Sequence, residues 1–120
     1  MSIRAIRGAT CLQVDDASEM AEAVVELLGE MFARNNVENQ SLISVLFTAT
    51  PDLKSAFPAA AARQMDLADV PLICAQEIDV VGAMARVIRV LVHTESDLPR
   101  ADVKHVYLRG AEALRQDIAQ

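Results

Sequence analysis

Aromatic side chains are scarce in this sequence: its 120 residues include three Phe, one Tyr and no Trp. Since hydrophobic residues still make up 52% of the chain, we expect an aliphatic core. Cysteine is scarce as well, and two residues, Cys11 and Cys74, are too few for a disulfide framework. Free thiols in a reducing compartment are therefore expected.

Long apolar runs are also missing. No run reaches the roughly 18 residues that a membrane-spanning helix needs, so we expect no membrane association. The residues from Met1 to Ala5 lack the apolar stretch of a secretory signal, and a cytoplasmic protein is expected. The formal net charge of −6 argues against a nucleic-acid partner, because such partners bind basic surfaces.

Several functional motifs do not occur. The sequence has no G-x-S-x-G, P-loop or G-x-G-x-x-G pattern, which excludes the common hydrolase and nucleotide-binding motifs. His93 and His105 have no Cys or carboxylate partner at ligand spacing, apart from a weak pairing of His93 with Glu95. No metal site is therefore expected.

The basic residues are unusual in kind, since nine are Arg and two are Lys. A guanidinium group binds planar carboxylates through two parallel hydrogen bonds and stays charged when water is removed. Arginines that stand inside apolar segments of an acidic protein are a first indication of a site for a small anion.

The pattern of apolar residues predicts one long helix, one short helix and five strands. The long helix is predicted over 18–34, where one stripe is apolar: Met20, Val24, Leu27, Leu28 and Met31. Strands are predicted over 2–14, 44–48, 70–75, 86–93 and 104–108, the short helix over 59–65, and a helical tail up to residue 115. These elements favour an α+β (mixed α/β) fold in one domain, residues 1–120, with the sheet packed on the helices.

Arg89 is the most suggestive single residue, because it stands within Val87-Ile88-Arg89-Val90-Leu91. A guanidinium in an apolar strand is costly unless an anion meets it. The alternatives are an internal ion pair or an edge strand from which the side chain reaches water. Arg7 has a similar position in the first strand, although a surface role is easier to assume there because Arg4 lies in the same strand.

Three further residues are candidates with ordinary alternatives. Glu77 follows a predicted strand end, where sites on sheets often lie, but a carboxylate in such a position is more often an ordinary loop residue. Tyr107 alternates with His105 on one strand face and could simply pack with its hydroxyl at the rim. Cys74 is more often a buried small hydrophobe than a nucleophile.

Four segments, spread over nearly the whole chain, carry a more specific signal when taken together. They are Arg7-Gly8-Ala9-Thr10; Thr48-Ala49-Thr50-Pro51-Asp52-Leu53 with Phe57-Pro58-Ala59 and Arg63; Val70-Pro71-Leu72 through Cys74, Gln76 and Glu77 to Ile88-Arg89-Val90; and His105-Val106-Tyr107-Leu108 with Leu114-Arg115. In this order and spacing they resemble the small, trimeric, mixed α/β class of chorismate mutase.

This resemblance implies a homotrimeric pseudo-α/β-barrel with active sites between neighbouring subunits. It also implies an isomerase that needs no cofactor and turns chorismate, a dianion, into prephenate for phenylalanine and tyrosine biosynthesis. The reaction is a pericyclic rearrangement in which one C–O bond breaks as a C–C bond forms. The absence of a nucleophile–base pair is expected of such an enzyme.

The resemblance also implies roles for individual residues. Arg7 and Tyr107 would bind a substrate carboxylate, and Arg89 would face the ether oxygen and a carboxylate. Glu77 would accept a hydrogen bond from the ring hydroxyl, and Cys74 would line the pocket near that hydroxyl.

Three more residues would complete the site from its edges. Phe57 would pack on the substrate from the neighbouring subunit. Arg63 and Arg115 would lie at the mouth of the active site, and the C-terminal tail would close over it. Two residues depart from the pattern of the family. Ala60, at the mouth of the site, stands where relatives often have Lys, and Gln116, in the tail, stands where Pro is common.

Two other functions fit a scaffold of this kind. A small trimeric enamine/imine deaminase has a similar fold and an arginine that binds a carboxylate at subunit clefts. A non-catalytic metabolite-binding domain would bind a ligand without turnover. The pair Cys74 and Glu77, together with the Leu114-Arg115 tail, favours the mutase.

Overall fold

The structure is a computed structural model that describes residues 1–114. Five strands form one sheet in the order β3-β2-β4-β1-β5. β4 pairs antiparallel with β1 and β2, whereas β3 and β5 add parallel strands at the two edges. The strands are β1 (Ser2–Cys11), β2 (Leu42–Ala49), β3 (Leu72–Gln76), β4 (Val87–Ser96) and β5 (Val106–Tyr107). The predicted five-stranded mixed sheet is confirmed.

Two helices cover one face of this sheet, α1 (Ala17–Arg34) and α2 (Pro58–Arg63). The helix α1 begins after Asp16, whose carboxylate accepts a hydrogen bond of 2.8 Å from the Glu19 N–H and so satisfies one free donor of the first turn. Every residue of the predicted apolar stripe on α1 is buried. Three shorter 3₁₀ turns lie at Asn39–Ser41, Arg100–Asp102 and Ala111–Leu114.

The contact between α1 and β1 is close at Gly8. A Cβ atom at this position would collide with the Sδ atom of Met31, which is itself fully buried. Because interiors are packed without spare room, a residue with no side chain is needed here. The fit fixes the position of Arg7 and Ala9, the neighbours of Gly8 that face away from the helix.

The end of α1 also positions the last strand. Asn35 is buried, and its amide donates to the carbonyl groups of Met31 and Lys104 at 2.9 and 2.8 Å. Its own carbonyl accepts from the Lys104 N–H at 2.8 Å. These three bonds hold the chain just before β5 and thereby place Tyr107 beside β1.

Several predicted element bounds differ from those observed. The first strand ends at Cys11 rather than at residue 14, because Cys11 pairs with Val87, the first residue of β4. Arg86, directly before Val87, has a left-handed backbone with φ of 52°, a conformation that does not occur in regular strands. The last strand has two residues instead of five, since it pairs only with Gly8 and Ala9.

In residues 1–114, no helix is both long enough and apolar enough to cross a membrane.

Candidate active site

One row of paired residues crosses all five strands on the face that the helices leave uncovered. Thr48 is paired with Ala75 on one side and with Arg89 on the other. Ala9 in turn is paired with Arg89 and with Tyr107. Paired residues project from the same side of a sheet, so the guanidinium of Arg89 stands between two small neighbours, Thr48 and Ala9. This arrangement leaves room above the sheet for a ligand.

A cleft of about 240 Å³ occupies that room. Four of the predicted site residues line it: Arg7, Glu77, Arg89 and Tyr107. The other lining residues are Gly8, Ala9, Leu46, Thr48, Val90 and Leu91. Four residues that are far apart in the sequence are thus brought together on the open face.

Arg89 and Glu77 form an ion pair, with 3.2 Å between Nε and Oε2. The internal ion pair considered for Arg89 is therefore present, but it does not satisfy the guanidinium. The Nε atom is buried, and its N–H is not aligned for a hydrogen bond to any of residues 1–114. A buried donor without a partner is costly, and a ligand oxygen in the cleft would remove that cost.

Arg7 contributes a second positive charge. Its backbone N–H donates to Nδ1 of His105 at 2.9 Å, which ties β1 to the segment before β5. Its guanidinium makes no hydrogen bond or ion pair within the described part of the chain. Two guanidinium groups against the one carboxylate of Glu77 leave the cleft with a net positive charge, as suits an anion.

Tyr107 is held by packing, since only 3% of its surface is exposed. It forms a small apolar cluster with Ala9 and Ala111, against which Cys11 and Leu114 pack. Burial raises the pKa of the Cys11 thiol, so this cysteine is a neutral, packed side chain at neutral pH. Both cysteines are free.

Phe57 and Cys74 lie at a second, larger cleft of about 600 Å³. It is built from the loop after β2, the start of α2 and the strand β3. Phe57 is 73% exposed, and Arg63 is exposed at the end of α2. Within one chain, Cys74 therefore lies with Phe57 and apart from the lining of the Arg89 cleft, and Arg115 lies outside the described residues.

Thr48 is a cleft residue that sequence reasoning did not single out. It belongs to one of the four segments, but its place beside Arg89 depends on the pairing of β2 with β4, which local patterns do not reveal. In residues 1–114, no three His, Cys, Asp or Glu side chains are grouped so that they could hold a metal ion.

The family model of chorismate mutase type I matches residues 3–118. The chain belongs to this family. Chorismate mutase AroH of Thermus thermophilus is 45% identical to it over 117 residues, covering 97% of this chain and 96% of the relative. Chorismate mutase AroH of Bacillus subtilis (strain 168) is 37% identical over 120 residues, covering 99% of this chain and 94% of the relative.

A solved structure agrees with the sequence comparisons. Chorismate mutase from Clostridium thermocellum superposes with a TM-score of 0.89 at 45% identity, covering 91% of this chain and 97% of that one. The resemblance based on four segments is thus confirmed as family membership. Membership of the chorismate mutase family makes the chain an isomerase and does not favour the deaminase or the non-catalytic alternative.

Proposed function

We propose that this chorismate mutase rearranges chorismate to prephenate in the cleft between Arg7, Glu77, Arg89 and Tyr107, as a step of aromatic amino-acid biosynthesis in the cytoplasm. The proposed reaction needs no cofactor, and residues 1–120 would act as one catalytic domain. The observation that carries the proposal is the buried Nε of Arg89 at the wall of the cleft, which makes no hydrogen bond within residues 1–114.

Arg89 would stabilise the transition state. As the ether bond lengthens, negative charge builds on the departing oxygen, and a fixed guanidinium in a site poor in water stabilises that charge better than mobile water does. An N–H that makes no hydrogen bond within residues 1–114 gains most of its bonding energy in the transition state, which is the condition for lowering the barrier. A millionfold acceleration requires about 8 kcal/mol.

The remaining cleft residues would select the reactive shape of the substrate. The guanidinium of Arg7, which is unpaired within residues 1–114 and lines the cleft together with Tyr107, would bind one carboxylate. Glu77 would accept a hydrogen bond from the ring hydroxyl. Holding both ends of the substrate favours the compact conformer in which the two reacting carbons approach. Neither role requires a proton transfer or a covalent intermediate.

The second cleft would complete the site from a neighbouring subunit of a homotrimer. Phe57 of this cleft and Arg63 at the end of α2 are exposed in the single chain, and Arg63 would add the positive charge that a dianion still needs. Assembly is also supported by apolar side chains on the uncovered sheet face, where Ile3 and Ile73 are 63% and 62% exposed. A partner subunit on this face would cover these side chains. Light scattering should give the mass of three chains.

Incubation of the purified chain with chorismate tests the proposed reaction. We expect loss of chorismate with the matching appearance of prephenate, without added metal or cofactor. An imine derived from an amino acid serves as the control substrate and should not be hydrolysed faster than in buffer. Hydrolysis of the imine with no loss of chorismate would identify a deaminase, and neither reaction would indicate a binding domain.

A further inference from the structure

The hydroxyl of Thr48 makes a short hydrogen bond to Glu77. Its Oγ1 donates to Oε1 of the carboxylate at 2.6 Å, a distance typical of a bond to an ionised group. The other oxygen, Oε2, lies 3.2 Å from Nε of Arg89. Thr48 and Arg89 are direct neighbours across β2 and β4, so both contacts to the carboxylate come from the same row of the sheet.

The backbone of Glu77 is fixed by the same strand. Glu77 directly follows β3, and its N–H donates to the Ala49 carbonyl at 2.9 Å. The side chain nevertheless has three rotatable bonds, and its carboxylate is attracted by the guanidinium beside it. Without a second contact, the carboxylate could turn and form a two-pronged pair with Arg89, the geometry that these groups prefer.

We propose that Thr48 is a positioning residue that holds the Glu77 carboxylate in the orientation the reaction needs. Its hydroxyl occupies one carboxylate oxygen and thereby keeps Glu77 from pairing fully with Arg89. The Nε–H of Arg89 stays free for the ether oxygen, and Glu77 stays directed at the ring hydroxyl. This inference rests on the proposed function, because it assigns to Thr48 the control of two groups that act on chorismate.

Two substitutions of Thr48 separate this role from a packing role. Thr48→Val keeps the volume and the β-branched shape but removes the hydroxyl, whereas Thr48→Ser keeps the hydroxyl and removes a methyl group. We expect Thr48→Val to lower kcat about ten- to a hundredfold, as for the loss of a hydrogen bond to a charged group. Thr48→Ser should recover most of that loss, and KM should change less than kcat in both.

Thr10→Val is the matched control. Thr10 lies on β1, is buried, and has a hydroxyl with no hydrogen bond to the described residues. Replacing it by Val removes a hydroxyl from the same sheet on the face covered by the helices. Its kcat should therefore stay near that of the wild type. Equal losses of kcat in Thr48→Val and Thr48→Ser would overturn the proposal, because packing alone would then explain the effect.

A double variant of Thr48 and Glu77 shows whether Thr48 acts through Glu77. In a Glu77→Ala background, Thr48→Val should lower kcat no further, since coupled residues are not additive. If the two substitutions lowered kcat by independent factors that multiply, the positioning role of Thr48 would be contradicted.

A measurement without turnover separates this inference from the proposed function. Crystal structures of Thr48→Val and Thr48→Ser should show the carboxylate turned onto Arg89 in the first and unmoved in the second. A wild-type chain that leaves chorismate unchanged would refute the proposed function, while the two structures would still decide the role of Thr48. An unmoved carboxylate in Thr48→Val would refute that role even in an active enzyme.

Discussion

The two clefts of this chain differ in what holds their side chains. The Arg89 cleft is built on the sheet. Arg7 and Arg89 project from paired strands, Glu77 directly follows a strand, and the Thr48 hydroxyl donates a hydrogen bond to the Glu77 carboxylate. The Phe57 cleft is built mainly from a loop and a short helix, and its aromatic ring is 73% exposed. Groups on regular elements are placed more precisely than groups on loops.

This difference suggests that the two clefts contribute to different steps of catalysis. Stabilising a developing charge requires a fixed cation, and the Arg89 cleft supplies one that is half-buried. Covering the substrate and attracting its second carboxylate requires less precision, and Phe57 together with Arg63 at the end of α2 would suffice for it. We therefore expect changes in the first cleft to act on kcat and changes in the second to act on KM.

The largest effect is expected for Arg89→Ala. Removal of the guanidinium abolishes the charge contact made in the transition state, and kcat should fall at least about a thousandfold. Lysine should restore little, because an ammonium group cannot reproduce the planar fork of arginine. Steady-state kinetics with chorismate provide the measurement, and an unchanged urea midpoint provides the control for folding. A variant that retains a tenth or more of wild-type kcat would contradict the electrostatic role.

A smaller effect is expected when Phe57 of the second cleft and Arg63 at the end of α2 are removed together. The double variant Phe57→Ala and Arg63→Ala should raise KM about ten- to a hundredfold and lower kcat only a few-fold, as for lost substrate binding. Both side chains are exposed in the single chain, so the fold should tolerate the change. A large loss of kcat at unchanged KM would contradict the assignment of substrate binding to Phe57 and Arg63.

Truncation after Leu114 examines the mouth of the site. It removes Arg115, which is predicted to hold a substrate carboxylate, and we expect KM to rise several-fold with a modest loss of kcat. Arg115→Ala in the full chain should reproduce most of the rise in KM. Loss of kcat without a change in KM would instead place Arg115 among the groups that act on the breaking bond.

The smallest expected effect concerns the loop that carries the second cleft. Hydrogen bonds from Ser55 and Lys54 hold the pKa of the Asp15 carboxyl below its usual value. Because the folded pKa is lowered, this contribution to stability is present above the unfolded value of about 4 and is lost as the pH falls below it. Asp15→Asn should therefore be slightly less stable than the wild type in urea at pH 7, and the difference should shrink by pH 3. An equal difference at both pH values would exclude the charged form as its source.

Helices and strands could be predicted from the sequence where the local pattern of apolar residues was strong. The stripe on α1 and the apolar run around Arg89 both correspond to elements of the structure. The position of Glu77 after a strand end is also observed. These features follow from periodicity and turn signals, which are encoded within a few residues.

The arrangement of the site could not be predicted in the same way. Strand order and register join distant segments, so Thr48 was not recognised as the neighbour of Arg89. The last strand was predicted from its local pattern, but its place beside β1 depends on Asn35 at the end of α1. Cys74 was expected beside the ring hydroxyl, yet within one chain it lines the Phe57 cleft.

The central claim is that one active site needs both clefts, supplied by neighbouring subunits. Arg89→Ala retains an intact Phe57 cleft, and the variant that lacks Phe57 and Arg63 retains an intact Arg89 cleft. The measurement is the activity of a one-to-one mixture of the two, unfolded and refolded together, at chorismate well below KM. If subunits assemble at random, about a quarter of the sites combine two intact clefts, and the mixture should recover about a quarter of wild-type activity. A mixture no more active than the average of the two separate variants would contradict the shared site.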